Sequence, residues 1–244
     1  MAPSLIVSCL AGCLAAVCGV RAQSAPPQPQ AVTALSYNVH YAVGMDGKTD
    51  LARIARVIRD SKAGIVGLQE IGSKAMAKEL GRLAGMAFVF GRSKEKDSQY
   101  GDAILCRYPF TYVGNESIPS ASSSRYQAMA VDVDVSKVFG EGASVRFVNT
   151  HFDWLKTIGS QEARLAACQV IERAFFEDYD GPAPLASDLN AVPGSAPLLR
   201  IKKLGWFLPA SASRASRSAR LKPTGRSTTC SCARSGRGQC GRSR

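Results

Sequence analysis

Acidic residues run out well before the chain does: no Asp or Glu follows Asp188, whereas residues 189–244 carry 12 Lys and Arg. The formal charge of +12 belongs to that segment alone, because residues 1–188 balance 19 basic against 19 acidic side chains. A neutral body argues against the basic footprint that marks nonspecific nucleic-acid binders. Histidine is scarce, 2 in 244 residues, and neither stands at zinc-ligand spacing from cysteines. Of the 8 cysteines only Cys106 and Cys168 fall in the body, which excludes a disulfide framework and leaves both as small buried hydrophobes. No internal repeat of fixed period occurs, which argues against a solenoid.

One long apolar run is present, from Leu5 to about Ala22, followed by QSAPPQPQ. It reads as a signal peptide over residues 1–22 with a linker over 23–31, and implies a secreted or periplasmic protein. Its leading residues lack Lys and Arg and its length touches the lower limit for spanning, so a short membrane anchor is the rival reading. Leu10-Ala11-Gly12-Cys13 also resembles a lipoprotein cleavage site that would leave a lipidated Cys13.

Residues 32–209 suit one large domain with a substantial core. A strand from Ala34 to Val39 leads through a glycine-bearing loop to a helix capped by Thr49 or Asp50, with Leu51, Ile54, Ala55 and Ile58 at helical spacing. Strand Ile65–Leu68 and a helix over Ser73–Leu83 follow, so helices are expected to pack on a sheet. Further strands are expected at Ala87–Phe90, Ala103–Arg107, Phe110–Val113, Ala128–Val135 and Val145–Thr150. Ser160 is expected to cap a helix reaching about Phe176. A strand over Ala183–Ala186 and a helix over Pro197–Leu204 complete the domain.

From 210 to 244 the composition turns to Ser, Arg, Ala, Gly and Cys, too poor in large aliphatic residues to bury a core. A disordered basic tail is the simplest expectation. A second reading comes from the genetic code. Arg226 to Ala233 can be spelled CGA TCG ACT ACG TGC TCG TGC GC, which from its third base reads Ile-Asp-Tyr-Val-Leu-Val-Arg. Loss of one base in the Arg226 codon would convert that strand-like sequence into the one observed.

Polar residues follow several apolar strands: Asn38 in LSYNVH, Glu70 in IVGLQE, His151 and Asp153 in FVNTHFD, and Asp188 with Asn190 in LASDLN. Strand ends are where side chains distant in sequence converge. Taken singly each has a plainer reading: Asp188 as a cap of the next turn, Asn190 as its left-handed residue, His151 as a hydrogen-bonded core or loop histidine. Taken together they suit phosphoester hydrolysis. Glu70 and Asn38 supply oxygen ligands of the kind Mg²⁺ or Mn²⁺ prefers. His151 can stabilise charge on the phosphoryl group, while Asp188 and Asn190 orient the attacking water or the leaving oxygen.

With YGDAILCRYPF, VNTHFD and SDLNAVPGS following SYNVH and IVGLQE in this order, the sequence resembles the endonuclease/exonuclease/phosphatase superfamily, the deoxyribonuclease I-like proteins, over roughly Ala34 to Leu208. The resemblance implies a four-layer α/β sandwich of two packed mixed sheets flanked by helices. It implies the same roles for Asn38, Glu70, His151, Asp188 and Asn190, and adds Arg125 as a phosphate-binding residue. The partner it implies is a phosphoester substrate, with nucleic acid, a phospholipid headgroup or a small phosphorylated compound as candidates and no obligate protein partner. Two departures stand out: Asp102 where the family often has Asn, and the lack of an Ile-Asp-Tyr-Val strand followed by Ser-Asp-His. The shifted reading after Arg226 would restore the first of those motifs in the expected place. As written, the chain could instead be a non-catalytic product.

Overall fold

The computed structural model describes residues 31–94, 98–122 and 126–205, together with the backbone of 227–233. The expected leader, most of its linker and Arg125 lie outside the described residues.

Strand β1 (Ala31–Asn38) and strand β2 (Ile65–Ile71) run parallel, joined through helix α1 (Leu51–Asp60). Asp50 caps α1 by accepting the Arg53 N–H at 2.9 Å, and Ser73 caps α2 (Lys74–Ala84) by accepting that of Met76. Gly85 closes α2 at φ 66°, in the left-handed conformation that glycine adopts without penalty. Strands β3 (Ala87–Arg92) and β4 (Gly101–Cys106) form an antiparallel pair whose β4 edge joins β2. The first sheet is five-stranded, in the order β3-β4-β2-β1-β9.

The second sheet is four-stranded: β5 (Phe110–Ile118), β6 (Tyr126–Asp134), β7 (Ser144–His151) and β8 (Leu185–Asp188). Its pairs are antiparallel except β7 with β8, which are parallel and bridged by helix α4 (Ile158–Phe175). A short helix α3 (Ser136–Phe139) links β6 to β7, and α5 (Ala196–Lys203) follows β8.

Burial parity divides the core into three. Leu35, Val66, Leu68 and Leu105 point outward to α1 and α2, whose Ile54, Ile58 and Leu80 meet them. Their neighbours Val32, Ala34, Ile65 and Ile104 point inward against Met129, Val131 and Phe147 of the second sheet. On the far side, Ala130, Val148 and Leu185 pack on Cys168, Ile171 and Ile201 of α4 and α5. Helices, sheet, sheet, helices: this is the four-layer α/β sandwich. Both cysteine thiols are buried, as expected, and burial raises Cys106 to about 11 and Cys168 to about 12.

Three details differ from the sequence reading. Thr157, not Ser160, caps α4, accepting the Ser160 N–H at 3.2 Å, and Ser160 is buried in the first turn. Strand β5 runs to Ile118, well past Val113, because as a sheet edge it leaves polar side chains such as Glu116 and Ser117 in solvent and shows no apolar pattern there. Residues 227–233, expected in a disordered tail, form strand β9 (Ser227–Ala233), antiparallel to β1 with Tyr37 opposite Ser227 and Ala31 opposite Ala233.

Between the sheets lies a polar tie beside the apolar residues of that layer. Asn149 of β7, fully buried, donates to the carbonyls of Leu68 and Ala103 at 3.0 Å each and accepts from Gln69 Nε2 at 2.6 Å. Gly67 makes room for it, since a Cβ there would come within 2.6 Å of Asn149 Oδ1 and 2.7 Å of Ala186 Cβ. Gly67→Ala is therefore expected to lower stability by about 1–3 kcal/mol through overpacking. A urea midpoint indistinguishable from the parent would show that the sheets separate without cost.

Candidate active site

Because β1 with β2 and β7 with β8 are parallel pairs, Asn38, Glu70, His151 and Asp188 all stand at carboxyl ends. Inward parity carries Asn38, His151 and Asp188 into the layer between the sheets. Glu70 has the opposite parity, sharing the outward face with Leu68. It reaches the site because its backbone turns left-handed, at φ 60°, within a register shift between Leu68 and Ile71. Asn190 is also left-handed, at φ 44°, as its turn reading anticipated. Asp188 does cap the turn that follows it, one oxygen accepting the Asn190 N–H, while the other faces the site and accepts from Asn38.

The five side chains form one hydrogen-bonded set. Asn38 Nδ2 donates to Glu70 Oε1 at 2.6 Å and to Asp188 Oδ2 at 3.2 Å. Asp188 Oδ1 accepts the Asn190 N–H at 3.2 Å. Asn190 Nδ2 donates to the Phe152 carbonyl at 2.9 Å and stands 3.2 Å from His151 Nε2. That carbonyl fixes which end of the Asn190 amide points there, so His151 Nε2 is the acceptor and Nδ1 carries the proton, facing Tyr100 OH at 3.3 Å. Burial holds the His151 pKa below its ordinary value despite the opposing fields of Asp188, Glu70 and Asp153. Its Nε2 lies 3.8 Å from Glu70 Oε1.

A cleft of about 400 Å³ opens above this set. Its walls include Tyr41, Tyr100, Tyr126 and Trp154, none of which sequence reasoning singled out, although Tyr100 begins the YGDAILC motif. Tyr41 and Tyr100 lie with ring centroids 5.4 Å apart, and Tyr126 meets the His151 ring edge-on at 5.1 Å. Tyr41 sits in a left-handed run, His40 to Ala42, that only a specific loop conformation sustains.

Asp153 does different work from its motif neighbours. Its buried carboxylate accepts from the Ser120 hydroxyl and from the N–H groups of Ala121, Ser122 and Leu155, at 2.7–3.0 Å. Burial opposes ionisation, but these donors win and hold its pKa below the usual carboxylate range. It anchors two loops beside the cleft.

Asp102, buried at the start of β4, accepts the Glu70 N–H at 3.3 Å with one oxygen, while the other has no partner of ordinary geometry. Burial, and then the nearby Glu70 charge, pushes its pKa well above the usual value. An acid raised in the folded state costs stability above its unfolded pKa of about 3.9, and the cost grows with pH until the folded pKa is passed. Asp102→Asn keeps the acceptor for Glu70, so it is expected to match the parent near pH 4 and to exceed it in urea midpoint at pH 7. A midpoint difference that does not change with pH would contradict this.

The model for the Endonuclease/Exonuclease/phosphatase family matches residues 35–240. Similar solved structures include a family protein from Beutenbergia cavernae, 22% identical, TM-score 0.52, covering 68% of this chain and 50% of that one. A family protein from Bacteroides thetaiotaomicron is 21% identical with TM-score 0.57, covering 70% of this chain and 66% of that one. The mannosyl-6-phosphatase of the same organism is 21% identical with TM-score 0.52, covering 65% of each chain. The chain thus spans about half the length of the Beutenbergia relative. A search of curated proteins returned no match.

Proposed function

Since the chain belongs to the endonuclease/exonuclease/phosphatase family, we propose that its site is that of a divalent-metal-dependent phosphoesterase acting on a phosphodiester or phosphomonoester outside the cytoplasm. The observation that carries the reading is the convergence of Asn38, Glu70, His151, Asp188 and Asn190 at one end of the sandwich in a continuous hydrogen-bonded set. The mannosyl-6-phosphatase among the similar structures is in keeping with it.

The donor chemistry fits a hard cation. Oxygens of Glu70 and Asp188 converge on the Asn38 amide nitrogen, while Asn38 Oδ1 is held by the His40 N–H at 3.0 Å, so the two carboxylates are the hard oxygen donors at this corner. Among the described residues no three His, Cys, Asp or Glu side chains close into a metal cage, so Mg²⁺ or Mn²⁺ would keep much of its water. When bound, the cation polarises phosphoryl oxygen and offsets the charge that develops on it. Asp188, held by Asn190 N–H and Asn38, is placed to orient a water and accept its proton. Asn190 and His151 face the same space from the other side, with N–H donors for a phosphoryl oxygen once protonated at His151 Nε2. Arg125 is a further candidate for phosphate, on the segment entering β6.

A non-catalytic reading has one observation in its favour: no carboxylate follows Asp188. We attribute that lack to a lost base at Arg226. In the shifted reading the aspartate would stand where Thr228 stands, opposite Ser36 and on the strand beside Asn38. The two readings separate when the chain as written and a version with the frame restored are assayed on bis-p-nitrophenyl phosphate and plasmid DNA with Mg²⁺ or Mn²⁺. Hydrolysis in neither would establish the non-catalytic reading.

A further inference from the structure

Large apolar side chains left in solvent are concentrated at the mouth of the cleft. Tyr41 and Met45 follow β1 and are 45% and 70% exposed; Trp154 and Ile158 follow β7 at 60% and 78%; Val192 follows β8 at 70%. Each lines the cleft or stands within four residues of a side chain that does. These residues come from the three segments that follow β1, β7 and β8, Ile158 being the first residue of α4, so no single helix or sheet face accounts for them. Grouped exposure of this kind marks a docking surface.

Position decides what docks. A body that covers this rim also covers the cleft, so a protein partner seated there would shut the site. Only a surface that itself carries the phosphoester satisfies both. The chemistry of the loops agrees: Trp and Tyr prefer the boundary between water and hydrocarbon, and exposed Lys156 lies between Trp154 and Ile158, where its ammonium can reach lipid phosphate while its stem lies along apolar surface. Lys48 stands likewise exposed on the Tyr41–Met45 loop, and no ion pair engages either lysine among the described residues. Residues 1–188 carry as many acidic as basic side chains, unlike a body built to track a nucleic-acid backbone. Among the described residues no helix is long and apolar enough to cross a membrane.

We propose that the rim docks the cleft onto a phospholipid surface and that the phosphoester presented to it is that of a lipid headgroup; the second clause rests on the phosphoesterase reading above. The test is co-sedimentation of the purified chain with phosphatidylcholine vesicles, with and without a minor share of phosphatidylserine. The Ile158→Ser/Val192→Ser variant is compared with the parent, since both residues are too exposed to support the fold. The parent is expected to partition to vesicles and the variant to do so about tenfold more weakly or less, because interfacial binding scales with buried apolar area. With the frame restored, the variant is expected to hydrolyse bis-p-nitrophenyl phosphate like its parent and vesicle lipid about tenfold more slowly. Absence of partition, equal partition of the two, or retention of single-stranded oligonucleotide in place of vesicles overturns the proposal. Hydrolysis of the soluble ester without vesicle binding overturns it while sparing the phosphoesterase reading. Vesicle binding that the variant loses, with neither ester hydrolysed, supports the docking surface and overturns the phosphoesterase reading instead.

Discussion

Restoring one base in the Arg226 codon is expected to raise metal-dependent hydrolysis of bis-p-nitrophenyl phosphate by roughly 10³-fold or more, since members of a catalytic unit removed together cost on the order of 10³ to 10⁶. The argument has a structural half. Strand β9 pairs along the whole of β1 from Tyr37 to Ala31, so its residues occupy a sheet that packs on both faces. Ser, Thr and Cys at those positions offer little apolar area, whereas Ile, Tyr, Val and Leu of the shifted reading offer much. Thermal stability should therefore rise together with activity. Equal activity and equal melting of the two chains would show that residues after Arg226 matter to neither.

Within the restored chain, Asp188→Asn is expected to lower kcat by about 10²–10⁴-fold, the usual worth of a positioned general base, with little change in KM. The amide keeps the shape of the carboxylate and can still accept the Asn190 N–H. It loses the capacity to take a proton from water, and its NH2 replaces the oxygen that accepted from Asn38. The folded state should therefore lose only about one hydrogen bond, on the order of 1 kcal/mol, and remain folded. A rate within about threefold of the parent would move the base elsewhere in the cleft; an unfolded protein would mean that Asp188 serves the fold.

What was legible in the sequence follows from period and parity. Strands and helices whose buried faces repeat, such as α1 with Ile54 and Ile58, announced themselves, and so did the site residues that end inward-facing strands. Edge strand β5 hid its length because an edge needs no apolar face. Glu70 was found through its place at a strand end, yet alternation alone would have aimed it at the helices; its left-handed backbone is a local exception that no period encodes. Asp153 looked like His151 in its motif, but three of the four donors that converge on it come from Ser120, Ala121 and Ser122, distant in sequence. The aromatic walls were not legible at all, because a tyrosine before a strand carries no sign of whether it faces a cleft.

The Asn149 tie between the sheets bears on how the molecule opens. One amide holds two carbonyls of the first sheet from the centre of the second, beside a largely apolar layer. Local loosening of β2, β4 or β7 alone would strand a buried polar group, so the halves of the cleft cannot drift apart by small steps. In native-state hydrogen exchange the amides of these three strands should share one opening free energy, as a single cooperative unit, while the rim loops exchange far sooner. The cleft is then a rigid seat with mobile lips, and access to it is governed by the loops that carry Tyr41, Trp154 and Val192.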